Sequence, residues 1–213
     1  MLTIHAPADI QAIEEAEALL RTMEPIETPR LILRPLSFED VPDLLEYHSD
    51  PEVVRYIPWP ARTHDDVVEV VQAYQRSRYC LADQGDSLVL GWALRADNKV
   101  IGQSNMSLLS SSNQTADVGW VTHPRFGRQG YAQEATQALF TWAFERFDLH
   151  RVVAHIDTRN VHSARFAEKL GMRWEAELKK AIQNKGQWCD TWVYAVLREE
   201  VDCMPQKRFD RLD

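Results

Sequence analysis

Cysteine is scarce in this chain. Cys80, Cys189 and Cys203 are odd in number, widely spaced and without a Cys-x-x-Cys pair. That excludes a disulfide frame and a cysteine zinc site, and it predicts reduced thiols in a cytoplasmic protein. No apolar run reaches membrane-spanning length, and the first residues lack the basic start and apolar middle of a signal peptide, so neither membrane nor secretion is expected. Excess positive charge is missing too: 24 Lys and Arg stand against 32 Asp and Glu, a net charge of −8, which argues against nonspecific nucleic-acid binding. No Gly-Lys-Ser/Thr follows a glycine run, so there is no Walker loop. His-Glu-x-x-His is absent and the seven histidines show no ligand spacing, so no metal is expected. Gly102-Gln103-Ser104 begins like a nucleophile elbow, but Met106 stands where the second glycine belongs, which removes a covalent acyl-serine route. Internal repeats and low-complexity tracts are absent as well.

What is there fits one domain. A chain of 213 residues with 45% apolar and 26% charged side chains can bury one substantial core. Helical and extended patterns alternate, which predicts a single α/β domain over residues 26–201. Residues 1–25 precede it as a helical extension, with Ile10, Ile13, Ala16, Leu20 and Met23 on one side of a helix over 8–23; its expected role is a packing arm or a homodimer contact. Residues 202–213 form a tail. Within the domain, Leu31 to Pro35 reads as a strand. Ser37, with Asp40 three residues on, caps a helix through His48. Asp50-Pro51-Glu52 predicts a short helical turn, and Thr63 with Asp65 and Asp66 opens a helix to Arg78. Strands follow over 87–95 and 100–109, joined at Ala96-Asp97-Asn98, then over 117–122, 151–157, 172–179 and 188–198, about seven in all.

The most informative stretch is Pro124-Arg125-Phe126-Gly127-Arg128-Gln129-Gly130-Tyr131-Ala132-Gln133-Glu134-Ala135-Thr136. A glycine-broken turn with two arginines runs directly into a helix whose apolar face is Ala132, Ala135, Leu139, Trp142, Ala143 and Phe147. Such a junction aims several backbone N–H groups at one spot beside the positive end of the helix dipole, an anion site most naturally filled by phosphate. In an acidic chain the arginines Arg125 and Arg128 suit a polyanionic ligand. The next unit is a buried strand, Arg151 to Asp157, then Asn160-Val161-His162-Ser163 opening a helix that stops at Gly171-Met172.

With these two units in order, the chain resembles the GNAT superfamily of acetyl-CoA-dependent N-acetyltransferases. The turn is similar to its pyrophosphate loop, and the second unit to its strand, Asn-x-x-Ser and helix. Thr28-Pro29-Arg30-Leu31 with Asp50-Pro51-Glu52 and Pro58-Trp59, and Lys185-Gly186-Gln187-Trp188 with Tyr194, narrow the resemblance to the branch holding the ribosomal-protein alanine and serine N-terminal acetyltransferases.

The resemblance implies an α/β (α+β) GNAT fold: a mixed, mostly antiparallel sheet splayed between its fourth and fifth strands and flanked by helices. It implies acetyl-CoA as co-substrate, with the pantetheine arm along Trp120, Val121 and Thr122. The amides of Gly127, Arg128, Gln129, Gly130, Tyr131 and Ala132 would hold the pyrophosphate, and Arg125, Arg128 and Lys169 the remaining phosphates. Asn160 would hold the pantetheine or acetyl group, and Ser163 would serve the departing thiolate. Asp117 is the candidate base. Trp59, Trp188 and Asp190 are assigned to the acceptor side.

Four positions depart from the family pattern. Gly127 and Arg128 shift the loop by one residue, Ala167 stands where many members carry a tyrosine, and Ile182 stands about where close relatives carry a glutamate. A protein N-terminus and a small-molecule amine both remain open as acceptor. A non-catalytic acyl-CoA-binding module or an interaction protein on the same scaffold are the alternatives.

Overall fold

The computed structural model describes residues 23–75 and 79–202. Most of the helix expected over 8–23, the end of the one expected to reach Arg78, and nearly all of the tail lie outside the described residues.

Among the described residues eight strands form one sheet: β1 (Ile26–Glu27), β2 (Leu31–Pro35), β3 (Ser87–Leu94), β4 (Val100–Ser110), β5 (Thr115–Thr122), β6 (Arg151–Asp157), β7 (Arg173–Asn184) and β8 (Gln187–Leu197), in the order β1-β2-β3-β4-β5-β6-β8-β7. The helices are α1 (Val41–His48), α2 (His64–Gln75), α3 (Tyr131–Arg146), α4 (Val161–Lys169) and α5 (Arg198–Asp202). All strand pairs are antiparallel except β5 with β6. This is the mixed, mostly antiparallel sheet the resemblance implies, with two differences from the sequence reading. The two-residue β1 adds an eighth strand, and β7 runs on to Asn184 rather than stopping near Lys179. Residues 51–56 form a run of turns: the Val54 N–H donates to the Asp50 carbonyl at 3.2 Å, the single helical turn the sequence predicts, and the Asp50 carboxylate accepts from the Glu52 N–H at 2.9 Å at its start.

The predicted start at Ser37 holds in detail. Asp40 accepts from the Ser37 N–H at 2.7 Å and takes both ends of the Arg34 guanidinium at 2.8 and 2.7 Å, which lowers its pKa against the opposing effect of its burial. A short 3-10 turn, Phe38–Asp40, then leads into α1.

Side-chain alternation along the strands sends residues to two cores. On one face Ala116, Val118, Val152, Ala154 and Ile156 pack with Leu139 and Phe140 of α3 and Ala164 and Ala167 of α4. On the other, Val89, Ala93 and Val121 pack with Leu44 of α1 and Val67 and Val71 of α2. Ser104 of the rejected elbow is fully buried, and its hydroxyl accepts from Trp92 Nε1 at 3.1 Å. It is a core residue, in keeping with the missing glycine.

Candidate active site

The parallel pair β5–β6 is hydrogen-bonded only from Thr115/Arg151 to Asp117/Val153. Beyond that point β5 stays on β4 and β6 stays on β8, so the two strands part. The edge of β5 from Val118 to Thr122 is left without a strand on its β6 side. A cleft of about 290 Å³ opens there, lined by Val118 to Val121 on one wall and Ala154 to Asp157 on the other. Tyr56 to Trp59, Asn160, Ser163, Ile182 and Cys189 close it.

At the far end of β5 the chain turns through Pro124–Phe126 into α3. Gly130 precedes α3 with φ +83° and Arg128 has φ +62°, the left-handed region that favours glycine. The Gly130 carbonyl accepts the Glu134 N–H at 3.0 Å. Among the described residues the N–H groups of Arg128, Gln129, Gly130, Tyr131 and Ala132 have no acceptor, as expected of a loop running into a helix N-terminus. Arg125 and Arg128 are exposed beside them. The loop is braced from below: His123 Nδ1 accepts from the Arg125 N–H at 3.2 Å while its Nε2–H donates to Glu46 at 2.9 Å.

A second brace was not legible as such in the sequence. Arg30, part of the Thr-Pro-Arg-Leu motif, donates through Nη1 to the Gln129 carbonyl at 3.0 Å and stacks over the Tyr131 ring at 4.3 Å. Its partner Glu134 sits in the first turn of α3, nearly buried.

The start of α4 reaches the cleft from the α3 side. Asn160 is its N-cap, with Oδ1 accepting from the Ser163 N–H at 3.1 Å. The Ser163 hydroxyl has no protein partner among the described residues. Ala167, fully buried in the core, leaves no phenol on this helix face, and Ile182 lines the cleft where a carboxylate is absent.

On the other face Asp117 and His155 meet across the point where β5 and β6 part: the His155 Nδ1–H donates to Asp117 Oδ1 at 2.7 Å. That hydrogen bond raises the His155 pKa above its ordinary value, against a lowering by burial. Asp157 is held by Arg159 at 2.8 and 2.6 Å, and Arg159 also donates to Cys189 Sγ at 3.0 Å. Cys189 is thus a buried structural thiol.

Of the residues singled out in the sequence, the cleft gathers Trp59, Asp117, Trp120, Val121, Asn160 and Ser163. Arg125, Gly127, Arg128, Gln129, Gly130, Tyr131 and Ala132 form the adjoining loop and helix start, with Thr122 just before them. Three are not brought in. Trp188 is 63% exposed and outside the lining. Asp190 faces solvent, tied to Lys179 at 3.0 Å and to the Lys180 N–H at 2.8 Å. Lys169, in the last turn of α4, is exposed and also outside the lining. His155 went unnoticed because a histidine in a buried strand reads as core; only the pairing of β5 with β6 puts it opposite Asp117.

The model of the Acetyltransferase (GNAT) domain family matches residues 30–173. The chain belongs to the GNAT family. It is 33% identical over 175 residues to the uncharacterized N-acetyltransferase YnaD of Bacillus subtilis, covering 82% of this chain and 98% of that one. A GNAT-family acetyltransferase structure from Bacillus anthracis superposes with a TM-score of 0.74 at 31% identity, covering 83% of this chain and 99% of the other. The structure of RimL, a ribosomal L7/L12 alpha-N-protein acetyltransferase in complex with coenzyme A, shares the fold with a TM-score of 0.69 at 22% identity, over 82% of this chain and 98% of its own. This GNAT chain therefore has the fold of a family that includes ribosomal-protein acetyltransferases, and its enzyme class is acetyltransferase.

Proposed function

We propose that this GNAT protein moves an acetyl group from acetyl-CoA to a primary amine, by direct attack with both substrates in the cleft. The observation that carries the reading is the parting of β5 from β6 beside a helix start with unpaired N–H groups. The free edge of Trp120, Val121 and Thr122 has the hydrogen-bonding groups to pair with a pantetheine arm as a strand would. The unpaired amides from Arg128 to Ala132, with the left-handed turn at Gly130, fit a pyrophosphate approached closely by backbone. Arg125 and Arg128 supply charge for the rest.

The two faces of the sheet divide the work. Asn160 and Ser163 reach the cleft from the α3–α4 side, where the donor would lie, and Ser163 can give its hydroxyl hydrogen bond to the departing sulfur. Asp117, His155, Tyr56 and Trp59 belong to the side of α1 and α2, from which an amine would enter. Backbone N–H near Trp120 is placed to steady the developing oxyanion. Holding both partners in register supplies much of the acceleration. The paired carboxylates of the cleft, Asp117 with His155 and Asp157 with Arg159, leave no free anion there.

The test is an acceptor panel of amino-acid amides, short peptides, polyamines and amino sugars incubated with acetyl-CoA, reading free thiol and product mass. At least one amine should be acetylated. Calorimetry should show acetyl-CoA binding, weakened by about tenfold or more in the Arg125→Glu/Arg128→Glu double variant, on the scale of one or two lost charge-assisted hydrogen bonds. Acetyl-CoA binding without thiol release over the whole panel would instead support a binding module.

A further inference from the structure

An amine reaching the cleft at neutral pH is mostly protonated, because a free α-amine has a pKa of about 8 and a side-chain amine one of about 10. It must lose that proton before its lone pair can attack. The titratable side chains that line the cleft are Tyr56, Asp117, His155, Asp157 and Cys189. Asp157 is held at both oxygens by Arg159, and Cys189 is buried against the same guanidinium. A phenol is a poor acceptor of protons at neutral pH. Asp117 gives its Oδ1 to the His155 Nδ1–H. Two basic atoms are left without a partner among the described residues, Asp117 Oδ2 and His155 Nε2, and an imidazole is the stronger base of the two residue types near neutral pH.

We propose that His155 is the general base for the acceptor amine, with Asp117 as its positioning residue. The inference rests on the N-acetyltransferase reading and assigns a residue to it. Placement supports the role. His155 alternates with Ala154 and Ile156, whose side chains lie in the α3–α4 core, so its ring points to the opposite face, where Tyr56 and Trp59 close the cleft. About a third of its side chain is exposed, so a ligand can reach it. Its hydrogen bond spans the last paired position of β5 and β6, next to where the donor's reactive end would lie.

Asp117 does two things. By accepting from Nδ1 it fixes the tautomer that leaves the Nε2 lone pair free, and it fixes the plane of the ring. Its charge also favours the imidazolium, so His155 binds a proton more readily than a free histidine does. The other charged groups along this face of β6 are the Asp157–Arg159 pair at one end and the Arg151–Glu175 pair at the other. Each is internally neutral. The position paired with His155 on β8 is Val193, which adds no charge.

The protons balance as follows. His155 Nε2 takes one proton from the ammonium, and the freed lone pair forms the new C–N bond. The carbon–sulfur bond breaks and its electron pair leaves on sulfur. The nitrogen sheds a second proton as it becomes an amide, and the sulfur takes up one proton to end as a thiol. His155 returns its proton to solvent, so each turnover releases one proton overall.

The experiment compares the parent, His155→Gln and Asp117→Asn. Three readouts are needed: thiol release against pH, acetyl-CoA affinity by calorimetry, and the NMR titration of the His155 ring, assigned by its loss in His155→Gln. In His155→Gln, kcat/KM at neutral pH should fall by about a hundredfold, the low end for a positioned base, with acetyl-CoA affinity unchanged. The limb of the pH profile set by the imidazole should vanish, leaving only the rise from the amine's own ionisation. In Asp117→Asn the ring should titrate at lower pH, and the kinetic limb should move with it. An His155→Gln enzyme with parental kcat/KM and pH profile would overturn the assignment while leaving the acetyltransferase reading intact. So would a kinetic limb that stays put while the ring titration moves. A parent that releases no thiol with any amine would overturn both.

Discussion

Arg30 and Glu134 hold the N-terminal end of α3 to the start of the sheet. The guanidinium Nε donates to Oε2 at 2.7 Å, and the Arg30 backbone N–H donates to Oε1 at 2.9 Å. The same Oε1 accepts from the Thr28 hydroxyl at 2.7 Å, so one nearly buried carboxylate gathers three donors from the segment before β2. The Arg30 guanidinium reaches on to the Gln129 carbonyl, which couples the sheet edge to the loop.

Glu134→Ala is expected to do two things at once. It leaves the Thr28 and Arg30 donors without their acceptor, at a cost of about 1–3 kcal/mol, kept modest because the arginine is half exposed. It also frees the loop, so acetyl-CoA affinity should drop several-fold although both Glu134 oxygens are spent on Thr28 and Arg30. Urea unfolding and calorimetry on one variant check both. A stability loss with full affinity would mean that the brace serves the fold alone.

Ser163→Ala separates two roles that the sequence left merged. The cap belongs to Asn160, whose side chain accepts from the Ser163 backbone N–H, so the Ser163 hydroxyl is not needed for the helix. Stability should therefore change by less than about 0.5 kcal/mol. If the hydroxyl donates to the departing sulfur, kcat should fall by on the order of ten- to a hundredfold with acetyl-CoA affinity nearly constant. Asn160→Ala should instead cost about 1 kcal/mol of stability. Unchanged turnover in Ser163→Ala would remove the serine from the reaction.

His48 predicts an acid-side loss of stability. It is fully buried; Nε2–H donates to Gln103 Oε1 at 2.8 Å and Nδ1 accepts from Arg62 at 3.0 Å. Burial, then the neighbouring Arg62 charge, lowers its pKa from 6.5 to about 4. The folded state therefore holds His48 neutral where the unfolded state would protonate. Its contribution is complete above pH 6.5 and is lost as pH falls toward 4, up to about 3 kcal/mol. His155 runs the other way: its raised value contributes below pH 6.5 and fades as pH rises. Denaturant midpoints at pH 7.5, 6 and 5 should fall in the parent and flatten in His48→Gln. Parallel curves for the two proteins would show that His48 is not the group responsible.

The sequence by itself determined the strand and helix periods, the Ser37–Asp40 helix start, the glycine turn before α3 and the Asn-x-x-Ser helix. Each is local: an apolar repeat, a cap, or a glycine before a helix acts within a few residues, and the order of the elements then points to one fold. Tertiary structure alone decided the rest. Trp188 and Asp190, expected on the acceptor side, face solvent, because the pleat of β8 sends alternate side chains away from the cleft. Asp117 and His155 are 38 residues apart, and no local rule couples them. They meet because β5 and β6 pair in parallel for three positions and then part, a register set by the burial of Ala116, Val118, Val152 and Ala154 beneath α3 and α4. The same register opens the cleft, so the partner of the candidate base was fixed by packing rather than by any motif.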